Sequence, residues 1–258
     1  MNKQKPGGIG WCDYTWGAVT GCWGPGGTAE KPNRCSYCYA VRVAQRFHAR
    51  EVLVEPGDPF APRFHPDRLN QPAKVKKPSR IFVCSMADLF GDWVPHGWIE
   101  DILGRCTWPG YSHHTFQFLT KNPKRLKDFN PWPENCWVGT TVTNQADADE
   151  RLPWLLQVEA PVLFVSHEPL LWEISVRRFF SHSIHCIKAH PGGSECRCKS
   201  PNWAIIGAQT GPGAVKVDPA WVVNLEYQYQ AAGVPIFEKN NLSYLCGLGA
   251  KLVQEFPK

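Results

Sequence analysis

The sequence predicts an α/β fold of six or seven strand–helix units: a (β/α) barrel, open or incomplete, with a doubly wound open sheet as the rival that periodicity does not separate from it. Two observations carry this. Short, near-continuous apolar runs recur along the chain, the pattern of parallel strands buried on both faces. Between them lie segments of helical spacing, so that strand and helix alternate as in βαβ units with right-handed crossovers. A chain of 258 residues is long enough for one large domain of barrel size with a proper core.

The runs come in this order. Residues 18–22 open the series, followed by 81–85, 116–120 and 137–142; residues 162–166, 203–208 and 234–237 close it. After the first run, Ala40, Val43, Ala44 and Phe47 form an i, i+3, i+4, i+7 stripe, and after the second Trp98, Ile99, Ile102 and Leu103 form a similar one. Asn144 is placed to cap a helix running towards Val158, which Pro153 is expected to kink or break. Asp218-Pro219 reads as the cap and first residue of a last helix, with Gly233 as its stop. Two segments break the rhythm. Residues 51–80 carry six prolines and the basic stretch Lys74-Val75-Lys76-Lys77; residues 181–202 are polar and rich in His and Cys. Both read as insertions into a single domain spanning 1–258.

Composition excludes several classes. At 12% aromatic residues and a net charge of only +5, the chain is not disordered. No run approaches 18 apolar residues, and the basic residues 1–8 lead into no apolar segment, so a soluble cytoplasmic protein with no membrane partner is expected. The mild positive charge permits a nucleic-acid partner without indicating one. Lys74, Lys76, Lys77 and Arg80 are candidate phosphate contacts, a solvated basic loop being the equal alternative.

Eleven cysteines, an odd number in a chain for which no leader peptide is expected, argue against a disulfide framework and for metal ligands where they cluster. The densest cluster is Cys22-x12-Cys35-Ser36-Tyr37-Cys38. Cys35 and Cys38 sit at the start of the first helix, where unpaired N–H groups and the helix dipole favour thiolates. Cys22 ends the preceding strand. Three thiolates in one loop suit zinc or an iron–sulfur cluster. Zinc prefers four ligands, and Cys12 is the nearest fourth; three alone suit a [4Fe–4S] cluster with one iron open to a small molecule. Tyr39, in the same helix, is expected in the core. A second cluster comprises His185, Cys186, Cys196 and Cys198, with His182 and His190 nearby, and reads as a further metal site, zinc or an auxiliary iron–sulfur cluster.

The stretch from Gly10 to Cys22 and on through Cys35-Ser36-Tyr37-Cys38-Tyr39-Ala40 resembles the opening of the phage Gp37/Gp68 family (DUF5131), W-T-x-x-T-W-N-P-x-x-G-C … C-x-x-C-Y-A. Blocks at 82–90, 118–123, 138–142, 166–171, 206–213 and 233–239 match as well, so the resemblance runs nearly end to end. That family is similar to radical S-adenosylmethionine (radical SAM) enzymes, which use a partial (β/α)6 barrel, a three-cysteine [4Fe–4S] cluster and an aromatic residue before the last cysteine, the place of Tyr37 here. The chain departs from the pattern in its long Cys22–Cys35 gap, in Gln209 where Glu is usual, and in Glu238-Lys239-Asn240-Asn241.

The resemblance implies a radical SAM-like enzyme of a partial (β/α)6 TIM-like barrel type. It would bind a [4Fe–4S] cluster through Cys22, Cys35 and Cys38, take electrons from a donor, cleave S-adenosylmethionine and act on a nucleic acid or a peptide. Barrel sites lie at C-terminal strand ends. The expected cofactor contacts there are Ser85, Asp88, Lys121, Thr141 and Glu168, with Tyr37 near the adenine. Asp88 or Glu168 would accept from the SAM ammonium or ribose, and Lys121 would hold the carboxylate. No catalytic residue is assigned. The alternative is a zinc-stabilised nucleic-acid-binding protein without catalysis, with Cys12 completing its first site.

Overall fold

A computed structural model of the chain describes residues 1–48, 58–180, 199–245 and 251–258. The chain divides into two compact units, Met1–Asn122 and Pro123–Lys258. The second Cys/His cluster, including His185, Cys186, Cys196 and Cys198, lies outside the described residues.

In chain order, the first unit comprises β1 (Asn2–Lys3), β2 (Tyr14–Trp16), β3 (Val19–Thr20), α1 (Tyr39–His48), β4 (Arg63–Phe64), β5 (Arg80–Val83), α2 (His96–Cys106) and β6 (Thr115–Thr120). Its sheet runs β1-β2-β5-β6, with β1 antiparallel and the rest parallel, Trp16 opposite Val83 and Phe82 opposite Gln117. Trp16, Ile81, Ile99, Ile102, Phe116 and Phe118 form its buried core.

The expected first strand is displaced. Tyr14–Trp16 enters the parallel sheet, while Val19–Thr20 pairs antiparallel with β4. A three-residue strand is too short to read as an apolar run. The run at 18–22 cannot continue straight either, because Gly21 adopts φ +86° and a Cβ there would lie 2.1 Å from the Ala61 carbonyl oxygen. Within the 51–80 insertion, the described part is ordered into β4 and two short 3-10 turns, Pro66–Arg68 and Pro72–Lys74.

The second unit contains β7 (Cys136–Thr141), α3 (Gln145–Leu155), β8 (Val162–His167), β9 (Trp203–Ile206), α4 (Pro219–Ala231) and β10 (Ile236–Glu238). Its strands run β7-β8-β9-β10 and are all parallel, as their apolar runs predict. Asn144 caps α3 by accepting from the Asp147 N–H at 2.9 Å. Pro153 does not break the helix; it stands in the last turn, where one missing N–H removes a single bond. Asp218 caps α4 through the Ala220 N–H at 2.8 Å, and Gly233 ends that element at φ +69°. Among the described residues no helix is long and apolar enough to cross a membrane.

Two titratable groups, the buried His167 and the half-buried Glu226, stand where α4 meets the sheet. The His167 ring lies 3.0 Å from the Val142 carbonyl and 2.8 Å from the Tyr229 hydroxyl, and burial pushes its pKa down to about 4. The ring is therefore neutral, donating to the carbonyl and accepting from the hydroxyl. Glu226 faces Glu238 across the α4–β10 packing. Burial, then the hydrogen bond and charge of Glu238, push its pKa up to about 8. A proton held in the folded chain up to pH 8 but released near 4.5 when unfolded makes stability fall as pH rises between those values. Glu226→Gln should flatten that fall. Thermal melts should show the variant more stable than the parent at pH 8, by roughly 1 kcal/mol after solvent screening, and nearly equal to it at pH 5.

Candidate functional site

The three cysteines of the first cluster are all free thiols and all partly accessible, whereas Cys12, Cys84, Cys106 and Cys136 are buried. Cys22 follows β3. Cys35 and Cys38 are one turn apart, with the Cys38 N–H donating to the Cys35 carbonyl at 3.0 Å immediately before α1.

The long gap between Cys22 and Cys35 is closed at its neck. The Asn33 N–H donates to the Trp23 carbonyl at 2.6 Å, and the Asn33 side-chain amide donates to the Pro25 carbonyl at 2.8 Å. Arg34 donates to the Cys22 carbonyl at 3.0 Å and pairs with Asp58. Residues 23–33 thus leave and return as a pinched loop that places the backbone of Cys22 beside that of Arg34-Cys35. Gly24 makes the pinch possible: at φ +82°, a Cβ there would lie 1.9 Å from the Asn33 carbonyl oxygen. Arg34, Asn33 and Gly24 are site residues that spacing did not reveal. The Gly24-Pro25-Gly26-Gly27 run was the available signal.

Asp88, past the end of β5, organises the rest. One carboxylate oxygen accepts from the Thr120 hydroxyl at 2.6 Å and the Phe90 N–H at 3.2 Å, and the other accepts from the Lys121 N–H at 2.8 Å. Its own backbone N–H, with that of Gly24 at 3.2 Å, donates to the Cys22 sulfur. Burial first, and then the Asp88 charge, push the Cys22 thiol up to about 12; the two N–H groups and the Lys121 charge act the other way. The Lys121 ammonium stands 5.9 Å from the Tyr37 ring centroid, within cation–π range. The Tyr39 hydroxyl donates to the Ser85 carbonyl at 2.6 Å. Tyr39 is 47% exposed, so it does not pack in the core as expected; it ties the start of α1 to the loop after β5.

The first unit therefore gathers Cys22, Asp88 and Lys121, with Tyr37 against the Lys121 ammonium, into one network beyond the strand ends, whereas Ser85 meets Tyr39 through its carbonyl. Asp88 serves that network with every oxygen engaged, rather than presenting a free carboxylate. Among the described residues no three His, Cys, Asp or Glu side chains stand close enough to share an ion. The donor set still fits an iron–sulfur cluster in kind: three accessible thiols, two at a helix start and one already receiving two backbone N–H groups. Cys12 does not join them. It precedes β2, with its sulfur directed at the Ile9 carbonyl, while Cys22 lies beyond the other end of that strand, whose length of roughly 10 Å stands between them.

In the second unit, Glu168, just past β8, pairs with Lys239, just past β10. The pair closes over Gly207 after β9, where a Cβ would lie 3.0 Å from the Lys239 Cδ and 3.3 Å from the Glu168 Cγ. The Asn241 side chain holds both the N–H and the carbonyl of Ala208, at 3.1 and 2.7 Å. Thr141 is buried at the end of β7, and its carbonyl accepts from Arg151 at 2.8 Å. The Gln209 side chain accepts from the Val215 N–H. Lys239 and Asn241, which sequence reading marked only as departures from a pattern, are the partners of this corner.

The family described as "Protein of unknown function (DUF5131)" matches residues 7–246. No curated protein matches the chain. Among solved structures, spore photoproduct lyase complexed with dinucleoside spore photoproduct is similar at 13% identity and a TM-score of 0.50, covering 92% of this chain and 79% of that one. A cysteine-to-serine mutant of spore photoproduct lyase gives 13% identity, 0.51 and the same coverage; a tyrosine-to-phenylalanine mutant gives 12%, 0.52, and 92% and 78%. At these identities the likeness shows the fold alone, a mostly parallel α/β fold shared with spore photoproduct lyase, in agreement with the α/β class expected from the sequence.

The pinched loop yields a direct test. Gly24→Val, which adds a side chain at a left-handed position against the Asn33 carbonyl, should lower thermal stability by about 2 kcal/mol or more. Gly26→Ala, at a positive φ with nothing nearby, should lose less. Calorimetric unfolding of the two variants would separate a tight closure from a merely flexible loop.

Proposed function

The chain belongs to the DUF5131 family, and we propose that it is a radical SAM-type enzyme whose [4Fe–4S] cluster is held by Cys22, Cys35 and Cys38. The observation that carries this reading is the closed loop joining Cys22 to Arg34-Cys35, with two backbone N–H groups already aimed at the Cys22 sulfur. The fold shared with spore photoproduct lyase supports it. When bound, such a cluster together with S-adenosylmethionine supplies reductive cleavage of the sulfonium and a 5′-deoxyadenosyl radical.

The chain's own residues position and shield. Gly24 and Asp88 hold the Cys22 sulfur by backbone donation, which stabilises thiolate charge. Asp88 is a positioning residue: it fixes the Lys121 backbone while the Lys121 side chain, over Tyr37, presents a cation for a carboxylate. Trp23 and Trp93, ring centroids 6.1 Å apart, cover the loop with apolar surface. We assign the Glu168 carboxylate, oriented by Lys239, and Thr141 to the cofactor or substrate contacts of the second unit. The substrate is a nucleic acid or a peptide; the dinucleoside in the spore photoproduct lyase complex favours the former. An electron donor is required as partner.

Anaerobic reconstitution followed by iron, sulfide and zinc analysis tests this. Cys22→Ala, Cys35→Ala and Cys38→Ala should each lose about four iron and four sulfide per chain relative to the parent, and Cys12→Ala should lose none. Zinc without sulfide, lost from Cys12→Ala as from the other three, would instead establish the zinc-stabilised, non-catalytic reading.

A further inference from the structure

The net charge of the chain is not evenly spread. Residues 1–122 contain 15 Lys and Arg against 10 Asp and Glu, whereas residues 123–258 contain 13 of each, so the whole +5 resides in the first unit. Part of that excess is built into one face at the N-terminal ends of β5 and β6, the end opposite the Cys22–Asp88 network.

Two segments make this face. Residues 70–79, leading into β5, are fastened to residues 108–115, leading into β6, at two points. The Tyr111 hydroxyl donates to the Asn70 side chain at 3.4 Å, and the Thr115 N–H donates to the Ser79 carbonyl at 3.0 Å, with the His114 ring buried beside them. The fastened segment presents Lys74, Lys76 and Lys77, all exposed. None of them, nor Arg105, takes part in the ion pairs found among the described residues. Asp101, one turn before Arg105, and Asp67 are the acidic residues closest in sequence to these cations.

Beside the lysines stands a flat stack. The Arg105 guanidinium lies 3.6 Å from the centroid of the Trp108 ring, and that ring is within 9° of parallel to Tyr111 at 6.1 Å. Trp108 is 48% exposed. With Tyr111 buried on one side of the indole and the guanidinium over the other, the outer face of the guanidinium is the one left to carry an unpaired base, and its N–H groups are left for phosphate oxygens.

We infer that this face of the first unit is a docking surface for single-stranded nucleic acid, with phosphates on Lys74, Lys76, Lys77 and Arg105 and a base extending the Tyr111–Trp108–Arg105 stack. The combination selects the partner. An acidic peptide would use the lysines but has no use for a flat aromatic–guanidinium stack. An anionic membrane surface would need several exposed apolar side chains around the cations; among the described residues of this unit only Tyr39 and Trp108 are large exposed hydrophobics, and Tyr39 belongs to the site at the other end of the strands. The inference stands without the cluster reading. It would make this end a place that holds the strand while the strand-end site acts elsewhere on it.

The test is fluorescence anisotropy of the full chain with a labelled 20-nucleotide single strand, its duplex, and an aspartate-rich peptide, each over a salt series. The single strand should bind most tightly. The triple variant Lys74→Glu, Lys76→Glu, Lys77→Glu should bind it at least about ten-fold more weakly, with the log–log salt slope less negative by about 2. Trp108→Ala should weaken single-strand binding several-fold and leave that slope unchanged. Thermal melts of both variants guard against misfolding. Equal affinity of the triple variant and the parent, or tighter binding of the duplex or the peptide, overturns the inference. The cluster-free Cys22→Ala chain should bind the strand as the parent does, which keeps failure here distinct from failure of the radical SAM reading.

Discussion

The carboxylate of Asp88 is the constraint on which the first unit's site depends. Its two oxygens take a hydroxyl and two backbone N–H groups from Thr120, Phe90 and Lys121, joining the loop after β5 to the end of β6. An ionised carboxylate in a partly buried place is stable only when so supplied. Because its own N–H meets the Cys22 sulfur, the same residue carries the order of the β5–β6 ends over to the cysteine loop. Removing the side chain, as in Asp88→Ala, would leave the Lys121 N–H and the Thr120 hydroxyl without their acceptor, and both the lysine's aim and the thiol's setting would loosen together.

The second unit solves a related problem differently. There the strand ends are joined by an ion pair, Glu168 with Lys239, drawn together over a residue with no side chain. Half-buried pairs of this kind contribute orientation more than stability, since desolvation offsets much of their attraction. Glu168 is thereby held in one direction, a property that a ligand-binding carboxylate needs and a solvated surface carboxylate lacks. Behind it, the neutral His167 bonds Tyr229 of α4, and Glu226 keeps its proton where α4 meets Glu238.

Much of this was legible from residues alone, and for identifiable reasons. Strands β5 to β10 are apolar because parallel strands are covered on both faces, and the caps of α3 and α4 follow from Asn144 and Asp218. The cysteine triplet shows through its spacing. What escaped reading depends on backbone groups meeting across long separations, which no periodicity records. Arg34 reaches the Cys22 carbonyl, Asn33 closes on Trp23, and Asn241 embraces Ala208. The first sheet strand, Tyr14–Trp16, was too short to see, and the apolar run after it was spent on a β-pair bent at Gly21. Asp88 was visible as a polar residue past a strand end, but whether it binds a ligand or holds a loop is decided by its neighbours.

The central claim is that Cys22, Cys35 and Cys38 hold a [4Fe–4S] cluster with one iron open to S-adenosylmethionine. The most direct measurement is the electron paramagnetic resonance spectrum of the anaerobically reconstituted, dithionite-reduced protein, recorded with and without S-adenosylmethionine. The account predicts a reduced-cluster signal that changes shape when S-adenosylmethionine is added. It is contradicted by a signal that S-adenosylmethionine leaves unaltered, or by a protein that takes up no iron and sulfide at all.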